Sequence, residues 1–426
     1  MSLRTRTQLL TEELRTRTRL LIEGEPKVVL PVVTVVLLLM PLALPGFQVS
    51  LLAETLIFAI FATAFNLLYG YTGLLSFGHA MFVATAGYAV AKVFTVVGPM
   101  LSLGGVAPLV TWLLAVVVGV AVAGVFAVFI GYLAVQLEEI YFALITLSFS
   151  MAIYAMANQD IPGELLAAVG VGDGQFTNES DGLTFIPGDV NLFGFEFPLV
   201  DLTNPVAFYV LTVFVFVLSI YALWRIVNSP FGMICKAIRE NPERAKAVGV
   251  DVTYHRWMTF IISGLFSGLA GAMLVTLGGN VNPQSHAYWT ASAEPVVMTV
   301  IGGPLSFVGP IVGAFTYDYL RWLITQNPLL EEYWQFSFGV LILIVVLFFE
   351  NGVAGGLEVA YARLRAWLPV ARERYREDGW RGVVSLAGET VKGWLVAAVR
   401  TIRAFAARAI EQIIGYLAGI RDLVVP

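Results

Sequence analysis

VAPLVTWLLAVVVGVAVAGVFAVFIGYLAV, residues 106–135, runs for thirty positions without an Asp, Glu, Lys or Arg. About 20 consecutive apolar residues carry a helix across the hydrocarbon core of a bilayer, so this stretch reads as a membrane span. Similar runs lie on either side, at 74–97 and 140–158. Further out they recur at 28–45, 51–69, 204–226, 258–277, 305–326 and 333–349, with a shorter, glycine-interrupted one at 290–303. The whole chain is 58% hydrophobic and 13% charged. A soluble chain of 426 residues could not hide that much apolar surface in a core. A single cysteine, Cys235, and three histidines exclude a disulfide framework and a His/Cys-rich metal site. The first run follows 27 mostly polar residues, too long a lead for an ordinary cleaved signal, and reads as an uncleaved helix.

Charge placement orients these runs. Residues 1–27 hold Arg4, Arg6, Arg15, Arg17, Arg19 and Lys27, which puts them in the cytoplasm as a basic amphipathic segment. Five spans then place 159–203 outside, and that loop has eight acidic residues and no Lys or Arg. A sixth returns 227–257, with Lys236, Arg239, Arg244, Lys246 and Arg256, to the cytoplasm. If 290–303 crosses, ten spans leave the tail inside; if it only re-enters, the tail falls outside. Residues 358–426 carry eleven Lys/Arg against seven Asp/Glu, which fits the inside better. The expectation is an all-α, polytopic membrane protein of about ten transmembrane helices, some discontinuous. Its parts are the cytoplasmic segment 1–27, a membrane domain 28–350 and a cytoplasmic amphipathic tail 351–426. In that tail Trp380, Leu386, Trp394 and Val399 recur among arginines, as on a helix at the membrane surface or against a partner.

Two segments are poor anchors: Gly70-Tyr-Thr-Gly-Leu-Leu-Ser-Phe-Gly-His-Ala80, followed by Gly87, and Ile301-Gly-Gly-Pro-Leu-Ser-Phe-Val-Gly-Pro310, followed by Gly313. At an offset of 230, Gly73, Leu75, Ser76 and Phe77 align with Gly303, Leu305, Ser306 and Phe307. Paired Gly/Pro-interrupted segments suit discontinuous helices around a pathway; glycine also simply permits close helix packing. Glu54, Asn66, His79, Glu294 and Asp318 lie within apolar runs. A carboxylate at a helix centre costs at least ~2.5 kcal/mol in lipid, so these groups face the protein interior. Glu54 and Glu294 either line a passage or lock helices together. His79 reads as a neutral imidazole bonded to a backbone carbonyl or as a functional group, and Asp318 as an ion pair with Arg321 three residues on.

The stretch Phe231-Gly-Met-Ile-Cys-Lys-Ala-Ile-Arg-Glu-Asn-Pro-Glu-Arg-Ala-Lys-Ala-Val-Gly249 predicts two short helices broken at Asn241-Pro242. A compact charged helix pair between two spans suits docking into a groove on a cytoplasmic partner; the alternative is a solvated connecting loop.

Three blocks resemble the permease subunits of branched-chain amino acid ABC importers of the LivM type. They are Gly70–Gly87, Glu139-Ile-Tyr-Phe-Ala-Leu-Ile-Thr-Leu147, and a long block from Lys236 through Gly264, Gly268–Ala272, Asn282-Pro-Gln-Ser285, Ser292 and Glu294 to Gly302-Gly303. The match covers roughly 50–350. The resemblance implies that Lys236, Arg239, Glu240, Asn241, Arg244, Ala245 and Gly249 form the coupling segment that touches an ATPase. It also implies that Ser76, Gly78, His79, Glu294, Gly302 and Gly303 lie at or near the translocation path, and that Thr177, Asp181 and Gly182 lie near an external entrance.

The implied partners are a second permease of the same family, two ATP-binding cassette subunits carrying ATP and Mg, an external solute-binding protein and the plasma-membrane bilayer. No nucleic acid, no metal and no cofactor of the chain's own is implied. Consistently, the sequence contains no G-x-x-x-x-G-K-[ST] loop and no H-E-x-x-H helix. Asn178-Glu179 replaces the family's paired glycines and, with Ser180, makes a glycosylation sequon; Leu305 stands where a further glycine is usual; Glu138-Glu139 occupy a turn that is often basic. Related urea/amide importer permeases share the blocks, and an ion-coupled carrier using Glu54, Glu294 and Asp318 is the reading from another class.

Overall fold

The apolar runs fold as helices where they are described, and five helices start where the sequence supplies both a cap and a proline. The computed structural model describes residues 26–101, 107–169, 175–186, 191–192, 195–196, 204–326, 332–333, 336–340, 342–343 and 352–357. The basic segment before residue 26 and the amphipathic tail from 358 lie outside the described residues. The helices are α1 (Pro26–Leu39), α2 (Gly46–Thr72), α3 (Ala80–Lys92), α4 (Ala107–Ala134), α5 (Glu139–Asn158), α6 (Ile161–Ala168), α7 (Pro205–Val227), α8 (Pro230–Glu240), α9 (Pro242–Ala247), α10 (Val252–Gly278), α11 (Pro283–His286), α12 (Trp289–Gly302) and α13 (Gly309–Thr325). Side-chain oxygens of Asp160, Asn204, Ser229, Asn241, Asp251 and Asn282 accept the first free N–H groups of α6, α7, α8, α9, α10 and α11. All of these but α10 also have a proline in the first turn, where no N–H is missed.

Among the described residues six helices are long and apolar enough to cross a membrane: α2, α3 with its continuation to Met100, α4, α5 from Ile140, α7 and α10. The expected count of about ten is not reached. The apolar part of α1 is short (Pro31–Leu42), and α12 and α13 have 14 and 17 residues, under the length a simple span needs. Gly303, Pro304 and the charged residues of α13 cut those runs short. The last expected span, 333–349, lies largely outside the described residues.

Helix α2 is the axis of the packing. α7, α10, α12 and α13 all lie against it, and 20 of its 27 residues are buried. α10 in turn packs on α3 and α4 along a seam of small residues. A Cβ on Gly264 would come 2.6 Å from Ala127 Cβ, and one on Gly131 2.6 Å from the Phe260 ring, so the backbones approach as only small side chains allow. The opposite faces of α4 and α5 expose Val117, Val125, Phe129, Ile140 and Leu144. They carry no exposed charge between Ala107 and Ala134 or between Ile140 and Asn158, with Tyr132, Tyr141 and Ser148 adding only hydroxyls, as suits a lipid-facing surface.

Four two-residue strands complete the description: β1 (Leu183–Thr184), β2 (Asn191–Leu192), β3 (Phe195–Glu196) and β4 (Asn280–Val281). The antiparallel pair β1–β4, in register Leu183↔Val281, ties the acidic 159–203 loop to the end of α10. β2 pairs with β3 as a local hairpin.

Candidate functional site

Both interrupted segments break at the aligned glycine. Gly73 (φ +79°) ends α2 and Gly303 (φ +107°) ends α12, conformations open to glycine at little cost. At Gly73 the Gly73 N–H bonds the Tyr69 carbonyl (3.1 Å), the bond of an αL helix ending, and the Leu74 N–H bonds that of Leu68 (3.2 Å). The chain then runs without helix from 73 to 79 before α3 begins.

That first break is sealed by hydrogen bonds. Ser263 Oγ on α10 donates to the Ala64 carbonyl of α2 (2.6 Å) and therefore accepts from His79 Nε2 (2.8 Å). His79 Nδ1 then accepts from Ser76 Oγ (3.1 Å), which itself accepts from the Gly78 N–H (3.2 Å). One proton order satisfies every group and selects the Nε2–H tautomer. The partners are thus two serine hydroxyls, with a carbonyl reached only through Ser263. Phe65 and Phe82 set their rings edge-on to the imidazole at 5.1 and 5.6 Å, and His79 has no exposed surface. The Ala80 N–H donates to Ser292 Oγ of α12 (2.8 Å), so the break also holds α12.

The second break is a backbone contact with no room for side chains. A Cβ on Gly302 would enter the Gly309 carbonyl, and one on Gly313 the carbonyl of Met298. Gly70, in the last turn of α2, is pressed in the same way against the Pro304 carbonyl. Gly302 and Gly303 are buried, as are Ser76 and Gly78.

Glu294 lies two residues after Ser292, about 200° round the helix, and so faces away from His79. It hydrogen-bonds Tyr317 of α13 and interacts with Arg321 and with Glu54 of α2. Asp318 lies among the same groups, with Glu54 as its strongest charged neighbour. Arg321 is thus a charged neighbour of Asp318, as expected, and also of Glu54 and Glu294. Glu54, Glu294 and Arg321 are half-buried, and Asp318 is 3% exposed. The residues expected at a translocation path thus divide into two groups: a neutral, closed one at Ser76, Gly78 and His79, and a charged one around Glu294.

On the side of the chain where α2 ends, α8 and α9 form the expected helix pair. Gly232, Cys235 and Ile238 of α8 and Ala245 of α9 are buried, while Met233, Glu240, Glu243, Arg244 and Lys246 are exposed. Arg239 Nη1 donates to the Gly70 carbonyl, and its Cγ would lie 3.1 Å from a Cβ on Gly73. Lys236 places its ammonium 5.3 Å from the Tyr71 ring. Two cations thus sit at the C-terminal end of α2, where the helix dipole favours them. Asn241 is the hinge and cap between the two helices (Arg244 N to Oδ1, 2.8 Å), and Gly249 (φ +89°) makes the turn into α10. Beside the pair lies a groove of about 810 Å³ lined by Glu138, Tyr141, Glu243, Lys246, Asp251 and Arg256, among others.

On the opposite side, Thr177 is buried. Its N–H donates to Asp160 Oδ1 (2.8 Å) and its hydroxyl reaches both Asp160 Oδ1 (2.9 Å) and the Ala157 carbonyl (2.6 Å). Phe176 N–H (2.7 Å) and Gly163 N–H (3.2 Å) complete the knot. Burial alone would raise the Asp160 carboxyl, but these donors outweigh it and hold it below its ordinary value. Asn178 (φ +61°) and Glu179 (φ +52°) take left-handed backbone where glycines were expected, and the Asn178 amide donates to the Gly182 carbonyl (2.9 Å). Asp181 is exposed, and Gly182 (φ +71°) lies so close to Val281 that a Cβ would strike its carbonyl. Sequence reasoning missed Asp160, although an aspartate two residues before a proline at the start of an apolar run is a helix-start signal. It also missed Ser263, for which no local signal exists.

The family model "Branched-chain amino acid transport system / permease component" matches residues 48–346. The high-affinity branched-chain amino acid transport system permease protein LivM of Salmonella typhimurium is 24% identical over 324 residues, 72% of this chain and 69% of its own length. The fructose import permease protein FrcC of Rhizobium meliloti is 33% identical over 146 residues, 32% of this chain and 39% of its own. The probable branched-chain amino acid transport permease protein LivH of Methanocaldococcus jannaschii is 27% identical over 143 residues, 32% of this chain and 40% of its own. No solved structure matches the chain at a significant level. With the matched model spanning both breaks, the helix pair and the charged centre, the chain belongs to the family of branched-chain amino acid transport system permease components.

Proposed function

We propose that this chain is one permease half of an ATP-driven importer in the plasma membrane, moving branched-chain amino acids handed over by an external solute-binding protein. The single observation that carries the reading is the α8–α9 pair, charged on its exposed side and fixed to the membrane part through Arg239 on the Gly70 carbonyl. A pair so anchored transmits a push. Closure of two ATP-binding cassette subunits, which hold the ATP and Mg, moves α8, and α8 bears on the end of α2. Because α2 is packed against α7, α10, α12 and α13, its displacement is shared by the helices around it.

The orientation follows from charge: 159–203 outside, and 227–257 and both termini in the cytoplasm. In that arrangement α12 and α13 act as short spans around the Gly303 break, giving about ten in all. The acidic loop knotted by Asp160 and Thr177, with Asp181 and Gly182 beside it, forms the entrance side. A second permease of the same family completes the path against the half-buried face of Glu54, Glu294 and Arg321, which is unsuited to lipid. Similarity to the fructose permease favours a second reading, a sugar as the solute.

Co-purification tests the proposal. The tagged chain brings down ATPase subunits in mild detergent, and the exposed double substitution Met233→Asp/Arg244→Glu abolishes this while the chain stays folded. Arg239 is unsuitable for that purpose because it bonds within the chain. Failure of the wild type to bring down any ATPase subunit overturns the importer reading.

A further inference from the structure

Glu54 on α2, Glu294 on α12, and Asp318 and Arg321 on α13 meet inside the membrane part from three helices far apart in sequence. Arg321 is the oppositely charged neighbour of all three carboxyl groups. Asp318 gives a second sign. It is 3% exposed and its Oδ2 has no hydrogen-bond partner. The Thr55 hydroxyl beside it donates to the Leu51 carbonyl (2.8 Å) and also interacts with the Asp318 carboxyl, which leaves Oδ2 as the unbonded atom. Buried polar atoms left in this way are rare and call for a reason. The centre also opens on one side, since Glu54, Glu294 and Arg321 are half-buried, whereas α4 and α5 expose no Asp, Glu, Lys or Arg between Ala107 and Ala134 or between Ile140 and Asn158.

We propose that Glu54, Glu294, Asp318 and Arg321 form the site that holds the charged head of a zwitterionic amino acid on its way through the membrane. The carboxylates, which only accept, suit an ammonium with three N–H donors, and the guanidinium fork suits a carboxylate. Tyr317, bonded to Glu294, fixes the orientation of that acid. A neutral sugar brings no charge to such a centre and leaves its desolvated groups uncompensated. The inference rests on the transport reading above and adds to it the groups that recognise the charged head of the solute.

The test is thermal unfolding of the purified wild-type chain, alone and with its partner subunits, in L-leucine, isoamylamine (no carboxylate), isocaproate (no amine) and fructose. L-Leucine raises the unfolding temperature and the other three do not. Glu294→Gln and Arg321→Gln abolish that shift and lower leucine uptake roughly tenfold or more, the expected loss of one charge-assisted bond. An equal shift with fructose or isocaproate, no shift with leucine, or a full shift in Glu294→Gln overturns the site. If neither variant assembles, the wild-type solute panel decides by itself. Co-purification of ATPase subunits without any leucine shift sinks the site but leaves the importer reading standing. A leucine shift in a chain that binds no ATPase does the reverse.

Discussion

The two helix–break–helix segments, 46–100 and 289–325, share their punctuation but not their chemistry. Each ends its first helix at a glycine with positive φ followed by Leu-Ser-Phe or nearly so, and each restarts within a few residues. In the first, Ser76, Gly78, His79 and Ser263 form one closed chain of hydrogen bonds that ends on the Ala64 carbonyl. In the second, the break itself is bare backbone, and the helices leaving it carry Glu294, Asp318 and Arg321, with Asp318 Oδ2 unbonded. A closed neutral network has one arrangement and rigidifies what it joins; a charged centre with a spare acceptor can change partners. The same backbone device therefore serves as a fixed joint in one place and as a place for a solute in the other. Asn66, buried at the seam beside Gly70 and with both amide atoms unbonded, belongs to neither arrangement, and nothing in the structure explains it.

The comparison is broken most severely at Gly302. Gly302→Val drives a side chain into the Gly309 carbonyl, so thermal unfolding in detergent shows a loss of about 4 kcal/mol or more, or no folded protein at all. Next, His79→Ala opens a cavity and removes one hydrogen bond each from Ser76 and Ser263, at a cost of about 3 kcal/mol in the same measurement. A His79→Ala protein of wild-type stability would mean that the first break is not a joint.

A control outside the membrane part is Asp160. Its carboxyl lies below the ordinary carboxylate value, so the stability it lends is complete above that ordinary value, about pH 4, and is lost as pH falls through the lowered one. The protection of the Phe176 and Thr177 amides against hydrogen exchange, taken relative to the intrinsic rate at each pH, is high at neutral pH and is lost in acid. Asp160→Asn removes that protection at every pH and costs about 2 kcal/mol.

The sharpest contrast with His79 comes from Asp318→Asn. Removing a charge with a free oxygen changes stability by less than about 1 kcal/mol, in either direction, yet leucine uptake falls. A joint loses stability and function together; a binding group loses function alone. The smallest effect is at Glu179, whose φ of +52° suits glycine better, so Glu179→Gly gains about 0.5 kcal/mol in thermal unfolding.

Much of this was legible in the sequence. The long apolar runs became helices, and Asn241-Pro242 capped and started α9 as expected. The glycine pair at an offset of 230 marked both breaks. Less legible was how many runs are long enough to span, because α12 and α13 are shortened by the same Gly-Pro signals that mark the pathway.

Hydropathy, caps and glycines are local properties, set by the solvent around a segment and by dihedral angles within a few residues, and so the sequence by itself determined the helices, their interruptions and the amphipathic cytoplasmic pair. Only the tertiary structure decided that Arg321 serves three acids, that Ser263 completes the bonds of His79 across 184 positions, and that Asp160 knots the loop around Thr177. Such contacts are made by groups that packing brings together from distant parts of the chain. A serine or an acid reads the same in sequence whether its partner is a buried imidazole, a neighbouring helix or water, because the free energy that distinguishes these cases arises only when the surrounding helices exclude everything else.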